Sequence, residues 1–132
     1  MKFNNKQERI AQRAQTRNAR ATVKQWMEAH QTERVTSLRH VHVYRDRIIR
    51  MPALLGVPEI VPIAGVTATV DTAGNVAYKG KKKVDTREVW VTIDGPGFQW
   101  VLKAGPSFPS ISRDFAARIN TAARQASTRV TA

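Results

Sequence analysis

The side chains best suited to catalysis or metal binding are few in this chain. Its three histidines are His30, His40 and His42, and it has no cysteine. His40 and His42 alternate along a predicted strand and would share one face of it, but a zinc site needs further ligands. We therefore predict solvent-facing histidines, no metal site and no cofactor.

The remaining chemistry-bearing residues fit structural positions better than catalytic ones. No serine stands in a Gly-x-Ser-x-Gly setting. Gly95-Pro96-Gly97 joins two predicted strands and lacks the strand-to-helix context of a phosphate loop. Carboxylates at turns and helix starts usually serve local hydrogen bonding, and such positions are predicted for Asp71, Asp85, Asp94 and Asp114. We predict that the protein is not an enzyme and has no small-molecule substrate.

The strongest chemical signal is positive charge, which is concentrated towards the N-terminus. The 132-residue chain has 22 Lys and Arg against 10 Asp and Glu, a net charge of +12, of which +8 belongs to the first 50 residues. Good helix formers dominate from Asn5 to about Arg34. At about 100° per residue, one narrow stripe of that helix holds Lys6, Arg9, Arg13, Arg17, Arg20 and Lys24. A second basic group surrounds a predicted hairpin tip at Gly80 and comprises Lys79, Lys81, Lys82 and Lys83.

Both basic groups have two interpretations, a solvated surface or an anion-binding surface. Aligned like charges on a helix repel one another, and the planar fork of arginine suits phosphate. The neighbouring apolar strip of the helix, with Ile10, Ala14 and Ala21, is too poor in large side chains to bury much surface. The helix should therefore be exposed over much of its length, and it lacks the broad apolar face of a membrane-surface helix.

All seven glycines and all six prolines lie after residue 50. Turn residues spaced in this way predict short antiparallel strands in that part of the chain. Alternating apolar residues predict strands over 40–44, 63–71, 76–78, 88–94 and 98–103. Helical spacing over about 109–127 places Ile111, Phe115, Ile119 and Ala122 on one face. The predicted fold class is α+β: an exposed basic helical arm over residues 1–36, then a small antiparallel β-barrel or sandwich over 37–132, capped by a C-terminal helix.

Two motifs carry a resemblance to a known family. They are a Gly-Pro-Gly-Phe-x-Trp strand beginning at Gly95 and a Phe-Ala-x-x-Ile-Asn helix beginning at Phe115. Together with the surrounding pattern over about residues 54–126, the chain resembles a poorly characterised domain of actinobacterial and actinophage proteins. That domain is similar to short bacterial pleckstrin-homology-like domains. The resemblance implies a bent β-barrel with a C-terminal helix across one opening, acting as a binding scaffold. The stretch from Gly74 to Asp85 departs from it, because a lysine-rich tip replaces a longer segment.

The expected function is that of a non-enzymatic binding protein of phage or mobile-element origin. Its basic helix would contact nucleic-acid phosphates without strong sequence readout. The alternative is a protein–protein adaptor or virion component, whose arm docks on an acidic partner or self-associates. No apolar run approaches the roughly 20 residues of a membrane span, and no signal peptide is visible, so a membrane partner is not expected. The expected location is the cytoplasm, or the virion for a phage structural protein, and the oligomeric state stays open.

Overall fold

Two long helices and nine short strands make up the part of the chain that the structure describes. A computed structural model describes residues 5–53, 56–105 and 109–131, with side chains as far as residue 129. The helices are α1 (Asn5–Ala29) and α2 (Pro109–Thr131), and a 3-10 turn covers Gln31–Glu33. The strands are β1 (Arg34–Leu38), β2 (Val41–Tyr44), β3 (Arg47–Arg50), β4 (Glu59–Pro62), β5 (Thr67–Ala73), β6 (Val76–Lys79), β7 (Lys82–Asp85), β8 (Glu88–Gly95) and β9 (Phe98–Lys103).

The first four strands form an antiparallel sheet in chain order, β1-β2-β3-β4. The side chains of β2 alternate between the two faces of this sheet, as predicted, and Val41 and Val43 are buried on the face that meets the core. None of the predicted strands covers β1, β3, β4 or β7. The sequence interpretation extended the helix to about Arg34 and the arm to residue 36, but α1 ends at Ala29 and β1 already begins at Arg34. The backbone N–H of His30 donates to the carbonyls of Trp26 and Met27 at 3.1 and 3.2 Å and closes this helix.

The second sheet contains β5, β8 and β9 in the order β5-β8-β9, and all its pairs are antiparallel. The predicted hairpin between β8 and β9 is confirmed, with Gly95 opposite Phe98. Pro96 and Gly97 form its turn, and Gly97 takes the positive φ of 79° that glycine tolerates. Strands β6 and β7 form a separate hairpin between β5 and β8 in the chain.

One apolar core lies between the two sheets and α2. Both sheets contribute buried side chains to it, including Ile48 and Ile93, and α2 adds Phe115 and Ile119. The prediction that Ile111 faces this core is wrong, because Ile111 is 52% exposed and Ser112 is buried. At about 100° per residue, Ser112 lies between the buried Ile119 and Ala123, whereas Ile111 lies just beyond the opposite edge of the buried face.

Helix α2 also completes the hydrogen bonding of β5. The side-chain oxygen of Asn120 accepts a hydrogen bond from the Ala68 N–H at 2.8 Å, and its amide nitrogen donates to the Ala68 carbonyl at 3.0 Å. This amide therefore takes the place of a neighbouring strand for one residue of β5.

The strand pairings among the described residues leave two separate sheets and a hairpin, not a closed barrel. The α+β class, the antiparallel sheets and the C-terminal helix were predicted correctly, and of the two predicted forms the barrel is not found. One side-chain link between the sheets is the indole N–H of Trp100, which donates to a Glu59 carboxylate oxygen at 3.2 Å. Trp100 is buried and belongs to the core.

Candidate nucleic-acid interface

Helix α1 is held to the rest of the protein near its C-terminal end. Val23, Trp26 and Met27 pack against Tyr44 and Ile49, which project from the face of the first sheet opposite the main core. Val23, Tyr44 and Ile49 are buried in this contact. The first sheet is therefore covered on both faces, and the outer layer is the last third of α1.

Trp26 is the centre of this anchor. Its ring stacks on His30 with centroids 4.0 Å apart and meets the edge of Tyr44 at 4.8 Å. The guanidinium of Arg47 lies 4.2 Å from the same ring. Asp46 fixes this guanidinium by accepting hydrogen bonds of 3.0 and 2.8 Å from it. The Arg47 hydrogen bonds lower the pKa of Asp46, so the pair stays ionised and the arginine stays over the indole.

The N-terminal half of α1 makes no such contact. Every residue from Asn5 to Gln15 is exposed, and the first partly buried position is Thr16. A free helix of this composition is marginal in water, so the anchor near Trp26 holds the segment through the continuous helix. Its lysine and arginine side chains are exposed, and Arg9, Arg13 and Arg17 line an open cavity along α1.

The six cations of the predicted stripe lie on α1 as expected, and five of them are exposed. Within the described chain, the side chains of these five residues make no ion pair or hydrogen bond. The five are Lys6, Arg9, Arg13, Arg17 and Lys24. From the first to the last, the stripe extends about 27 Å at a rise of about 1.5 Å per residue. The charge is therefore both unneutralised and laid out in a line.

Arg20 is the exception, because it is half-buried and bonded to the backbone. Its Nη1 donates to the Pro52 carbonyl at 2.5 Å and to the Gly56 carbonyl at 2.9 Å. These carbonyls are neutral, so Arg20 keeps its charge while it ties α1 to the segment after β3. Part of its role is therefore structural, which the stripe pattern did not indicate.

The second predicted group lies on the β6–β7 hairpin, whose turn is Gly80-Lys81. All four lysines are exposed, and Lys79 stands opposite Lys82 in the register. Like charges at opposed positions destabilise a hairpin. The nearest acidic partner on β7, Asp85, is taken by Arg87, which holds its pKa at about 2. No hydrogen bond or ion pair in the described structure connects this hairpin to α1.

The histidine prediction needs one correction. His40 is exposed in the β1–β2 turn, but His42 is half-buried because its face of the sheet is the one that α1 covers. Burial, with Arg34 and His40 nearby, lowers the pKa of His42. Its Nδ1 is buried and has no hydrogen-bond partner among the described residues. The described residues contain no group of three metal-ligating side chains around these or other positions.

Sequence reasoning missed the cavity that lies where α1 meets the β1–β2 turn. Arg20 and Lys24 line it from α1, and Arg39, His40 and His42 line it from the sheet. The spacing of the stripe indicates the two α1 residues. The three sheet residues come from a turn and a strand whose position under α1 depends on the Trp26 anchor.

Comparison of the chain with protein-family models, with curated proteins and with solved structures finds no match. In the described part of the chain, neither long helix combines the length and apolar character needed to cross a bilayer.

Proposed function

We propose that this protein is a non-enzymatic nucleic-acid-binding protein, in which the basic stripe of α1 contacts backbone phosphates. The observation that carries the proposal is the exposed segment from Asn5 to Gln15, on which Lys6, Arg9 and Arg13 have no partner among the described residues. A line of unpaired cations on a helix is costly in isolation and is stabilised by a polyanion.

The geometry of α1 suits a nucleic-acid backbone. The stripe recurs every three or four residues and extends over several helical turns, and a helix fits the major groove of duplex DNA, which is about 12 Å wide. Four of the six stripe residues are arginines, whose fork can donate two hydrogen bonds to one phosphate. Phosphate contacts of this kind carry affinity and position without reading sequence.

The globular part is proposed to be a pleckstrin-homology-like scaffold that orients the arm. A four-stranded antiparallel sheet, a three-stranded sheet and a closing C-terminal helix, in that order along the chain, support this proposal. Its contribution to binding is the face of the first sheet on which Trp26 is anchored. The lysine hairpin is proposed as a second, independent contact with phosphate.

The test compares two variants of equal net charge. The stripe variant carries Arg9→Gln, Arg13→Gln and Arg17→Gln. The control variant carries Arg45→Gln, Arg113→Gln and Arg124→Gln, three exposed arginines outside α1 that form no ion pair with any described residue. Fluorescence anisotropy with labelled duplex DNA and single-stranded RNA at low salt measures both. We expect the stripe variant to bind roughly 10- to 100-fold more weakly and the control to bind nearly as well as the parent.

An equal decrease in affinity in the two variants would refute a role for the stripe and leave only nonspecific charge attraction. Absence of binding by the parent at low salt would refute the function itself.

A second candidate is docking of the arm on an acidic protein surface, favoured by one observation. Ile10 is 57% exposed beside the stripe, on the strip that Ala14 and Ala21 continue. A protein groove would cover this strip, whereas phosphates would not. Ile10→Ser therefore separates the candidates: it should weaken a protein complex and leave nucleic-acid affinity unchanged.

A further inference from the structure

A cavity of about 320 Å³ opens between the docked part of α1 and the first sheet. This volume is at the small end of ligand pockets, which measure about 300–1,000 Å³. Its polar lining is entirely basic or imidazole, and its other described lining residues are apolar. The basic and imidazole residues are Arg20, Lys24, Arg39, His40 and His42. No acidic side chain lines it in the described structure, so its electrostatic potential favours an anion.

The β1–β2 turn places Arg39 in a conformation that its residue type disfavours. Leu38 pairs with Val41, so Arg39 and His40 form a two-residue turn. Arg39 has a φ of +52° and is the one non-glycine residue with positive φ among those described. A positive φ at the first turn position is typical of a type II′ turn, where glycine is preferred. Such strain is often found at ligand-binding positions, and here it places an arginine at the cavity.

Two lining side chains have unused hydrogen-bonding capacity. The Nδ1 of His42 is buried and has no hydrogen-bond partner within the described chain. Arg20 is fixed by two backbone carbonyls through Nη1 alone. Its Nη2 and Nε have no partner within the described chain, and the guanidinium is already oriented. The Arg20 nitrogens are preorganised donors for an oxyanion, and Nδ1 of His42 donates in the tautomer in which it carries the proton.

We propose that this cavity binds a single phosphate group, with Arg20, Lys24 and Arg39 supplying charge and His42 supplying a hydrogen bond. The proposal deepens the proposed function and rests on it for the phosphate chemistry of the ligand. The cavity would give the arm one fixed phosphate contact at its base, whereas the exposed cations farther along α1 contact phosphates less specifically.

Because positively charged groups surround His42, the NMR titration of its imidazole reports directly on an anion bound in the cavity. Arg34 and His40 raise the local positive potential from the strand and turn, Arg20 and Lys24 do so from α1, and β3 contributes the uncharged Ile49 opposite His42. A phosphate in the cavity would stabilise the imidazolium. The NMR titration midpoint of His42 should therefore rise when phosphate is added.

The test is a titration of the full chain with inorganic phosphate at low ionic strength, followed by NMR at the backbone amides and the histidine rings. We expect saturable shifts at residues 20, 24 and 39–42. Arg39→Gly removes the guanidinium and relieves the positive φ, so it should weaken phosphate binding about tenfold and keep or raise the melting temperature. Arg113→Gln, which lies outside the cavity on α2, should change neither property.

Unchanged phosphate affinity in a folded Arg39→Gly variant, or no saturable shifts in the parent, would overturn the proposal. As a second probe, Lys24→Gln should weaken phosphate binding, whereas Arg113→Gln should not. If phosphate binds the cavity but nucleic acid does not bind the protein, the proposed function fails and the cavity proposal stands. If nucleic acid binds the parent and the Arg39→Gly variant with equal affinity, the proposed function stands and the cavity proposal fails.

Short oligonucleotides with and without a 5′-phosphate identify the source of the group. Tighter binding of the phosphorylated strand, abolished in Arg39→Gly, would assign the cavity to a terminal phosphate. Equal binding of both strands, weakened in Arg39→Gly and by competition with inorganic phosphate, would assign it to a backbone phosphate. Oligonucleotide binding that neither inorganic phosphate nor Arg39→Gly affects would overturn the proposal.

Discussion

Replacement of Trp26 by alanine tests whether a single side chain keeps α1 on the protein. The ring is half-buried and contacts His30, Tyr44 and Arg47. Each of its two aromatic contacts contributes about 0.5–1.5 kcal/mol and the cation–π contact about 0.5–1 kcal/mol. The His30 contact lies within the same segment and does not join α1 to the sheet, whereas the lost burial of the ring adds to the Tyr44 and Arg47 contacts, so we expect α1 docking to weaken by about 2–3 kcal/mol. That corresponds to local opening about 30- to 150-fold more frequent.

Amide hydrogen exchange measures this opening residue by residue. In Trp26→Ala the amides of residues 20–29 should exchange faster by that factor, whereas those of β8 should change much less. Trp90→Ala is the matched control, because Trp90 is a partly buried tryptophan on β8 without a ring contact to α1 in the described structure. Unchanged exchange in α1 of Trp26→Ala, or equal acceleration in the control, would refute the anchoring role of Trp26.

Three further predictions test the globular part of the protein. Asn120→Ala leaves a β5 N–H and carbonyl without their side-chain partners and should lower the free energy of unfolding by about 2 kcal/mol, measured by urea denaturation; a decrease below about 0.5 kcal/mol would contradict the clamp. Ile119→Ala should cost about 2–5 kcal/mol in the same assay, whereas Ile111→Ala should cost much less because Ile111 is exposed. Arg87→Gln should raise the pKa of Asp85 from about 2 towards 3.8, so the carboxylate would protonate at a higher pH in an NMR titration; an unmoved midpoint would exclude this ion pair in solution.

Hydrophobic periodicity was sufficient for the elements that have one strongly apolar face. Strands β2, β8 and β9 alternate, and α2 repeats large apolar residues at helical spacing, so all four were predicted. Strand β1 carries only Val35 and Leu38 as large apolar residues, and β4 is bounded by Pro58 and Pro62. Neither pattern distinguishes a short edge strand from a loop. These segments are strands because they pair with β2 and β3, and the sequence does not show that pairing.

The basic residues of the site could be predicted from the sequence, but the packing of α1 against the first sheet could not. Six cations at intervals of three and four residues can be found without a structure, and so can a lysine-rich turn. The docking of α1 could not, because Val23, Trp26 and Met27 form a short apolar patch whose complement, Tyr44 and Ile49, lies on the outer face of a sheet. The cavity depends on that docking, since it combines residues from α1, a turn and a strand.

The salt dependence of nucleic-acid binding tests the central claim most directly. Removing one cation that binds a phosphate makes the slope of log Kobs against log salt concentration shallower by about 0.9 for duplex DNA. The variant with Arg9→Gln, Arg13→Gln and Arg17→Gln should therefore have a slope shallower by about 2–3, and the control variant at Arg45, Arg113 and Arg124 should retain the parental slope. Identical slopes for the two variants would contradict phosphate binding by α1.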